Sequence, residues 1–288
     1  MNDPFKVACI QTNSDREFAA NIEAVSGLVR DAVGAGAEFV LLPETVSLME
    51  PKRRLLNEKV RAEEDDPMLA ACRDLACETG IWMLAGSMVI RVAAEKIANR
   101  SFLLGPDGAI VARYDKIHMF DVDLGNGEYY RESSAYAPGD TAVVADLPWG
   151  RLGMTVCYDL RFPYLYRTLA HAGADFLTVP SAFTRPTGEA HWHVLLRARA
   201  IETGCFVFAP AQCGDHAEGR QTYGHSLIID PWGNVLADGG EDVGFIIADV
   251  DPTAVAEARG KVPSLTHDRQ IAPPDEDAAT SPAIAAAS

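Results

Sequence analysis

Apolar residues along this chain follow two rhythms, and each rhythm marks a different element. From Arg16 to Val33 the apolar positions include Phe18, Ile22, Val25, Val29 and Ala32. Steps of three and four gather them on one face of a helix. Gly34 and Gly36 close it. On either side lie short continuous apolar runs, KVACI at 6–10 and EFVLLP at 38–43. A run this short with little polar interruption suits a strand covered on both faces. The opening therefore reads strand, helix, strand over about 35 residues, the length a βαβ unit needs.

The alternation continues. A helix is predicted near 67–79, followed by a strand over IWMLAGSMVI at 81–90. NRSFLLGPDGAIVARYDK (99–116) holds two apolar runs around Pro106-Asp107-Gly108, a hairpin turn. Residues 151–156 read as a strand, PYLYRTLAHAGA as a short helix, and DFLTVPSAF as strand and loop. A longer helix is predicted at 188–204, ending at Gly204, and then a strand in CFVFAPAQ. HSLIIDPWGNVLAD (225–238) is a second hairpin, turning at Pro231 to Asn234. GFIIADV (244–250) is a strand, and DPTAVAEAR a last helix with Asp251 as N-cap and Pro252 at its first position. Strands alternate with helices, as in an α/β protein, but hairpins interrupt a purely parallel order. Mixed sheets covered by helices fit this pattern. No linker breaks residues 1–270, so one domain is expected there. The tail at 271–288, rich in Ala, Pro and Asp, is expected to be disordered or to lie against a partner subunit.

Composition narrows the partners. The 288 residues are 48% hydrophobic and 23% charged, enough apolar material for a sizeable core. The formal net charge of -16 argues against nucleic acid and against an anionic membrane surface. An anionic small molecule would need a local arginine. No apolar stretch reaches membrane-spanning length. MNDPFKVACIQ lacks the regions of a signal peptide, so a cytoplasmic protein is expected. The six cysteines include no C-x-x-C pair, and neither disulfides nor a metal site is predicted. His191 and His193, the one tight histidine pair, stand two apart and would not share a helix face.

Three apolar runs end on a reactive side chain. FVLLPE ends at Glu44, IVARYDK at Lys116 and LGMTVC at Cys157. Strand ends are where α/β folds build their sites. Taken singly, a strand-end Glu or Lys is usually solvated, and a lone Cys is usually a packed small hydrophobe. Together they suit one chemistry. Glu44 would take the thiol proton of Cys157 as general base, and the thiolate would attack an amide carbonyl. Lys116 and the backbone N–H of Tyr158 would hold the resulting oxyanion. The product is a thioester that water then hydrolyses, with loss of ammonia or an amine.

LLPE, YDKIHMFDVD and GMTVCYDLRFP resemble, in order and context, the three catalytic motifs of the nitrilase superfamily of carbon–nitrogen hydrolases. The resemblance spans about residues 5–270. It implies a Glu–Lys–Cys triad at Glu44, Lys116 and Cys157, and a further glutamate at Glu132 within YYRESSAYAPGD, with Glu128 as the poorer match. It also implies a four-layer αββα sandwich of two mixed sheets, a homodimer or higher homo-oligomer, and no cofactor. CYDLRFPYLYR and YGHSLIIDPWG resemble the branch acting on small ω-amides, and PAQCGDHAEGRQTYGHS favours deaminated glutathione over 2-oxoglutaramate. An N-carbamoyl amino acid and a non-catalytic binding role are the remaining alternatives. Tyr164 departs from the glutamate that often follows RFP in relatives. Such a substrate carries carboxylates, which arginine forks and helix N-termini hold. Arg161, Phe183, Thr187 and His191 are the expected substrate-binding residues, with Arg185 and Arg220 as further arginine candidates.

Overall fold

The computed structural model describes residues 3–125 and 128–272. The expectation for the tail falls almost wholly outside them, as does the side chain of Glu128. The first half of the chain supplies strands β1 (Phe5–Gln11), β2 (Phe39–Leu41), β3 (Trp82–Leu84), β4 (Met88–Ala93), β5 (Lys96–Leu104) and β6 (Ile110–Asp115). A small ribbon follows, β7 (Asp121–Gly125) with β8 (Glu128–Arg131). Then come β9 (Val143–Leu147), β10 (Gly150–Met154), β11 (Phe176–Thr178) and β12 (Phe206–Ala209). A second ribbon, β13 (Cys213–Asp215) and β14 (Gln221–Tyr223), precedes β15 (Leu227–Ile229), β16 (Val235–Asp238) and β17 (Gly244–Val250). The helices are α1 (Phe18–Gly34), α2 (Arg53–Lys59), α3 (Pro67–Thr79), α4 (Pro163–His171), α5 (Arg185–Thr203) and α6 (Thr253–Lys261).

The two large sheets are built alike. The first runs β17-β1-β2-β3-β5-β4, with β6 hydrogen-bonded to β5. The second runs β16-β15-β12-β11-β10-β9. Each has three parallel strands at its centre, β1-β2-β3 or β10-β11-β12, flanked by antiparallel neighbours. This explains why the sequence mixes βαβ patterns with hairpins.

The continuous apolar runs arise because alternate residues enter different cores. Val7 and Cys9 of β1, and Phe39 and Leu41 of β2, belong to the layer between the sheets, with Leu152, Met154 and Phe176. Phe39 meets Phe208 edge-on across that layer at 6.3 Å. Ala8, Ile10, Val40 and Leu42 point the other way, onto Val25 and Val29 of α1 and Leu69 and Leu75 of α3. Trp192, Leu196 and Ala200 of α5, with Tyr166 and Leu169 of α4, cover the second sheet. The result is the four-layer αββα sandwich.

Of the boundaries that differ from the sequence reading, three are instructive. The single strand expected over 81–90 is two strands, β3 and β4, parted at Gly86, whose φ is +53°. Helix α5 opens three residues earlier than expected, at Arg185, with Pro186 in its first turn. Helix α6 opens at Thr253 after Pro252, so Asp251 sits one position before the N-cap, where its carboxylate accepts from the Thr253 N–H at 2.9 Å.

Candidate active site

Strand β2 carries the chain to Leu42 and Pro43, and Glu44 follows. A break in the neighbouring sheet strand fixes the turn there. A Cβ on Gly86 would lie 2.1 Å from the Pro43 carbonyl oxygen, so only glycine allows the approach. The Ser87 N–H donates to that oxygen at 3.2 Å, and the Thr45 N–H donates to Ser87 Oγ at 3.2 Å. Glu44 is thereby buried, 4% exposed, and its carboxylate accepts three hydrogen bonds. Oε1 accepts from Asn99 Nδ2 at 2.8 Å and from Lys116 Nζ at 3.0 Å. Oε2 accepts from the Ala182 N–H at 2.9 Å.

Lys116 stands just past β6, its N–H donating to the Asn99 carbonyl at 2.9 Å. Its ammonium, 3% exposed, lies between two carboxylates, at 3.0 Å from Glu44 and at 3.0 and 2.9 Å from the two oxygens of Glu132. Glu132 is itself held by the Phe120 N–H at 2.6 Å. Burial disfavours the Lys116 charge, but Glu132 and Glu44 outweigh it and raise its pKa well above the ordinary lysine value. For Glu44, burial pushes the carboxyl up. The Lys116 charge and hydrogen bonds from Cys157 and Lys116 bring it below the ordinary value of 4.5.

Cys157 follows the end of β10 at a sharp elbow. Its φ is +49°, a conformation a non-glycine residue adopts at a cost of about 1–3 kcal/mol. Its N–H donates to the Pro180 carbonyl at 3.0 Å. A short 3-10 turn, Cys157–Arg161, leads away. Asp159 in that turn anchors the elbow and is fully buried. Its Oδ2 accepts from the Val156 N–H at 2.9 Å and from the Tyr114 hydroxyl at 2.7 Å. Its Oδ1 accepts from the His118 N–H at 3.0 Å and lies 2.7 Å from His118 Nδ1. Tyr164, the departure noted in the sequence, places its hydroxyl 2.5 Å from His118 Nε2. At Cys157, burial together with the Glu44 charge raises the thiol pKa well above 9.0, against the pull of Lys116. The thiol is therefore protonated at neutral pH. The Tyr158 N–H, in the first turn of the elbow, has no acceptor among the described residues.

These side chains open on a cleft of about 260 Å³. Glu44, Lys116, Glu132, Cys157, Tyr158, Arg161, Phe183, Thr187 and Arg220 all line it. The Arg161 guanidinium lies over the Phe183 ring at 5.4 Å and the Tyr158 ring at 5.9 Å. It is not paired with Asp159, which is committed to His118. Arg220 donates to the Ala182 carbonyl at 3.1 Å, and its Nε is buried without a partner. Neither guanidinium has a carboxylate in ion-pair range among the described residues. Thr187 is held by Thr184, hydroxyl to hydroxyl at 2.8 Å. His191 is exposed and outside the lining, touching the site only through Arg161, 3.3 Å away. Arg185 is spent on Glu241 at 2.6 Å, outside the cleft. Asn99, Ala182 and Gly86 were not singled out from the sequence, since an asparagine, a backbone amide and a glycine carry no distinctive spacing.

Comparison with known proteins identifies the family. Residues 6–260 match the carbon-nitrogen hydrolase family. The chain is 42% identical over 272 residues to the deaminated glutathione amidase of Synechocystis sp. (strain PCC 6803 / GT-S), covering 92% of this chain and 98% of that one. It superposes on the C. elegans NitFhit protein with a TM-score of 0.86 at 35% identity, over 93% of this chain and 66% of that one. Saccharomyces cerevisiae Nit3, a member of branch 10 of the nitrilase superfamily, gives a TM-score of 0.81 at 27% identity, over 90% and 94% of the two chains. The chain is thus a hydrolase of carbon–nitrogen bonds other than peptide bonds, and it belongs to the carbon-nitrogen hydrolase family of the nitrilase superfamily.

Proposed function

We propose that this protein is a thiol amidase that hydrolyses a small carboxylated ω-amide through a Cys157 thioester, with deaminated glutathione as substrate. One observation carries the reading. A buried ammonium bridges two carboxylates, a thiol on a strained elbow lines the same cleft, and two guanidiniums with no carboxylate in ion-pair range among the described residues share it.

The steps follow from the atoms present. Glu44 takes the Cys157 proton as the sulfur attacks the amide carbon. The carbonyl oxygen becomes an oxyanion, received by Lys116 Nζ and the Tyr158 N–H. Collapse breaks the C–N bond, and the proton on Glu44 passes to the departing nitrogen. Water then attacks the thioester with Glu44 again as base, releasing the acid and returning the proton to sulfur. Glu132 fixes Lys116 on its far side, so the ammonium keeps one orientation throughout. Arg161 and Arg220 supply the charge that substrate carboxylates require, and Phe183 and Thr187 form the wall beside them.

Deaminated glutathione and 2-oxoglutaramate yield the same keto acid and differ in what leaves, a dipeptide amine or ammonia. The test is therefore formation of 2-oxoglutarate from each, side by side, with Cys157→Ala as the blank. The expected result is a higher kcat/KM for deaminated glutathione and no turnover in the blank. A preference for 2-oxoglutaramate would move the substrate and keep the mechanism. Normal turnover by Cys157→Ala would remove the mechanism itself.

A further inference from the structure

Away from the cleft, three elements bring together two imidazoles and a carboxylate. His193 lies on α5, His225 in the segment between β14 and β15, and Asp238 at the end of β16. One ligand-capable atom of each lies within 4.8 Å of the other two. His225 Nδ1 is 2.8 Å from Asp238 Oδ1, and His193 Nε2 is 3.1 Å from Asp238 Oδ2.

The backbone holds this arrangement from several sides. Trp192, the residue before His193, donates its Nε1–H to the His225 carbonyl at 2.7 Å. The His225 N–H donates to the Gly240 carbonyl at 2.6 Å. The Gly240 N–H in turn donates to Asp238 Oδ1 at 2.9 Å. His225 itself is kept at a φ of +55°, and its ring stacks on Tyr223 with centroids 4.5 Å apart. Helix α5 passes so close to β14 that a Cβ on Gly188 would lie 2.3 Å from the Tyr223 side chain. The spacing between α5 and the second sheet is thus set before any side chain of the cluster is placed. Local strain combined with mutual pinning is the kind of preorganisation that ligand sites show.

We propose that His193, His225 and Asp238 form a site for a divalent transition-metal ion of the zinc type. Two imidazole nitrogens and one carboxylate oxygen suit zinc, cobalt or nickel, whereas calcium and magnesium favour all-oxygen sets. The nitrogen–oxygen separations are close to those of donors sharing one ion at about 2.0–2.2 Å. The three side chains are 34%, 22% and 35% exposed, so an ion has direct access from solvent, and water can complete its shell. Such an ion would tie α5, whose first turns form part of the cleft wall at Thr187, to the edge of the second sheet.

The test uses the full-length chain stripped with a chelator. Zinc is titrated by calorimetry and cobalt by visible absorption, in wild type, Cys157→Ala, His193→Ala and Asp238→Asn. The expected result is one equivalent per chain in wild type and in Cys157→Ala, with an affinity at least about 100-fold lower in the other two variants. Zinc should also raise the melting temperature of wild type but not of His193→Ala, each measured against its own metal-free form. The absence of saturable binding by wild type would overturn the proposal. So would an equivalent that survives in His193→Ala, or a cobalt spectrum with sulfur charge transfer that vanishes in Cys157→Ala. None of these readouts depends on amidase turnover.

Discussion

Lys116 serves two carboxylates with one ammonium, and its shape matters as much as its charge. A compact tetrahedral donor can address Glu44, Glu132 and an incoming oxygen at once, whereas a planar guanidinium presents its donors as a fork. Lys116→Arg is therefore expected to keep the charge and lower kcat by at least about 10²-fold, the scale of a lost transition-state donor. Glu44→Gln should cost about 10³-fold or more, since triad members act as a unit. Near-normal rates in either variant would sink the proposed roles. The pH profile belongs to the same residues. Glu44 is held below 4.5, while Lys116 and Cys157 are raised well above their ordinary values. As pH falls, kcat/KM should hold until Glu44 takes a proton, below pH 4.5, and it should stay flat through neutrality. A steep limb near neutral pH would point to a different base. Glu44, Lys116 and Cys157 were legible in the sequence because each terminates an apolar run. Asn99 was not, because its role rests on a hydrogen bond to Glu44, 55 positions away along the chain.

At the scale of elements, Gly86 shows how much of the site is held from a neighbouring strand. Gly86→Ala would force a Cβ against the Pro43 carbonyl oxygen at a positive φ. It should both destabilise the protein and lower turnover, because the displaced segment carries Glu44. A variant with unchanged kcat would refute the link. The same glycine explains why an apolar run at 81–90 misled the strand reading. Hydrophobicity alone does not mark a break forced by an adjacent chain. Most other elements were readable because period two and period 3.6 are both set by burial. The N-terminus of α3 offers a cleaner test. Asp66 caps it, accepting from the Leu69 N–H at 2.9 Å, yet its Oδ2 is buried without a partner. Burial raises its pKa above 3.8 against the pull of the Leu69 and Met68 N–H groups. A carboxyl raised on folding stabilises below its unfolded pKa and loses that contribution as pH rises through the folded value. Asp66→Asn, which keeps the cap and removes the charge, should gain on wild type between pH 4 and pH 7 in urea unfolding. Asp66→Ala should lose about 1 kcal/mol. Equal losses for both at pH 7 would contradict this account.

On the scale of the whole molecule, a formal charge of -16 surrounds a cleft holding Arg161 and Arg220. The two fields act at different ranges. Bulk repulsion of an anionic substrate is screened over a Debye length of about 8–10 Å at physiological salt, while direct contact with half-buried guanidiniums is screened less. With a substrate of two or more carboxylates, kcat/KM should therefore rise as salt increases from low to physiological strength. A fall would mean that local arginines dominate the approach. Mixed sheets covered by helices were legible in the hydrophobic pattern, whereas the four-layer sandwich and the meeting of three strand ends followed only from the resemblance to the superfamily's motifs. The cluster of His193, His225 and Asp238 could not be read from the sequence, because its members are spread over three elements whose packing no local pattern records. One consequence of the elbow reaches beyond catalysis. Oxidants such as hydrogen peroxide react with thiolates, and Cys157 rests as a buried, protonated thiol. Cys77 is the exposed thiol of the six. Under mild peroxide the titre of free sulfhydryls should fall before the activity does, so the arrangement that holds back the nucleophile until an amide arrives also gives the enzyme a measure of endurance under oxidative stress.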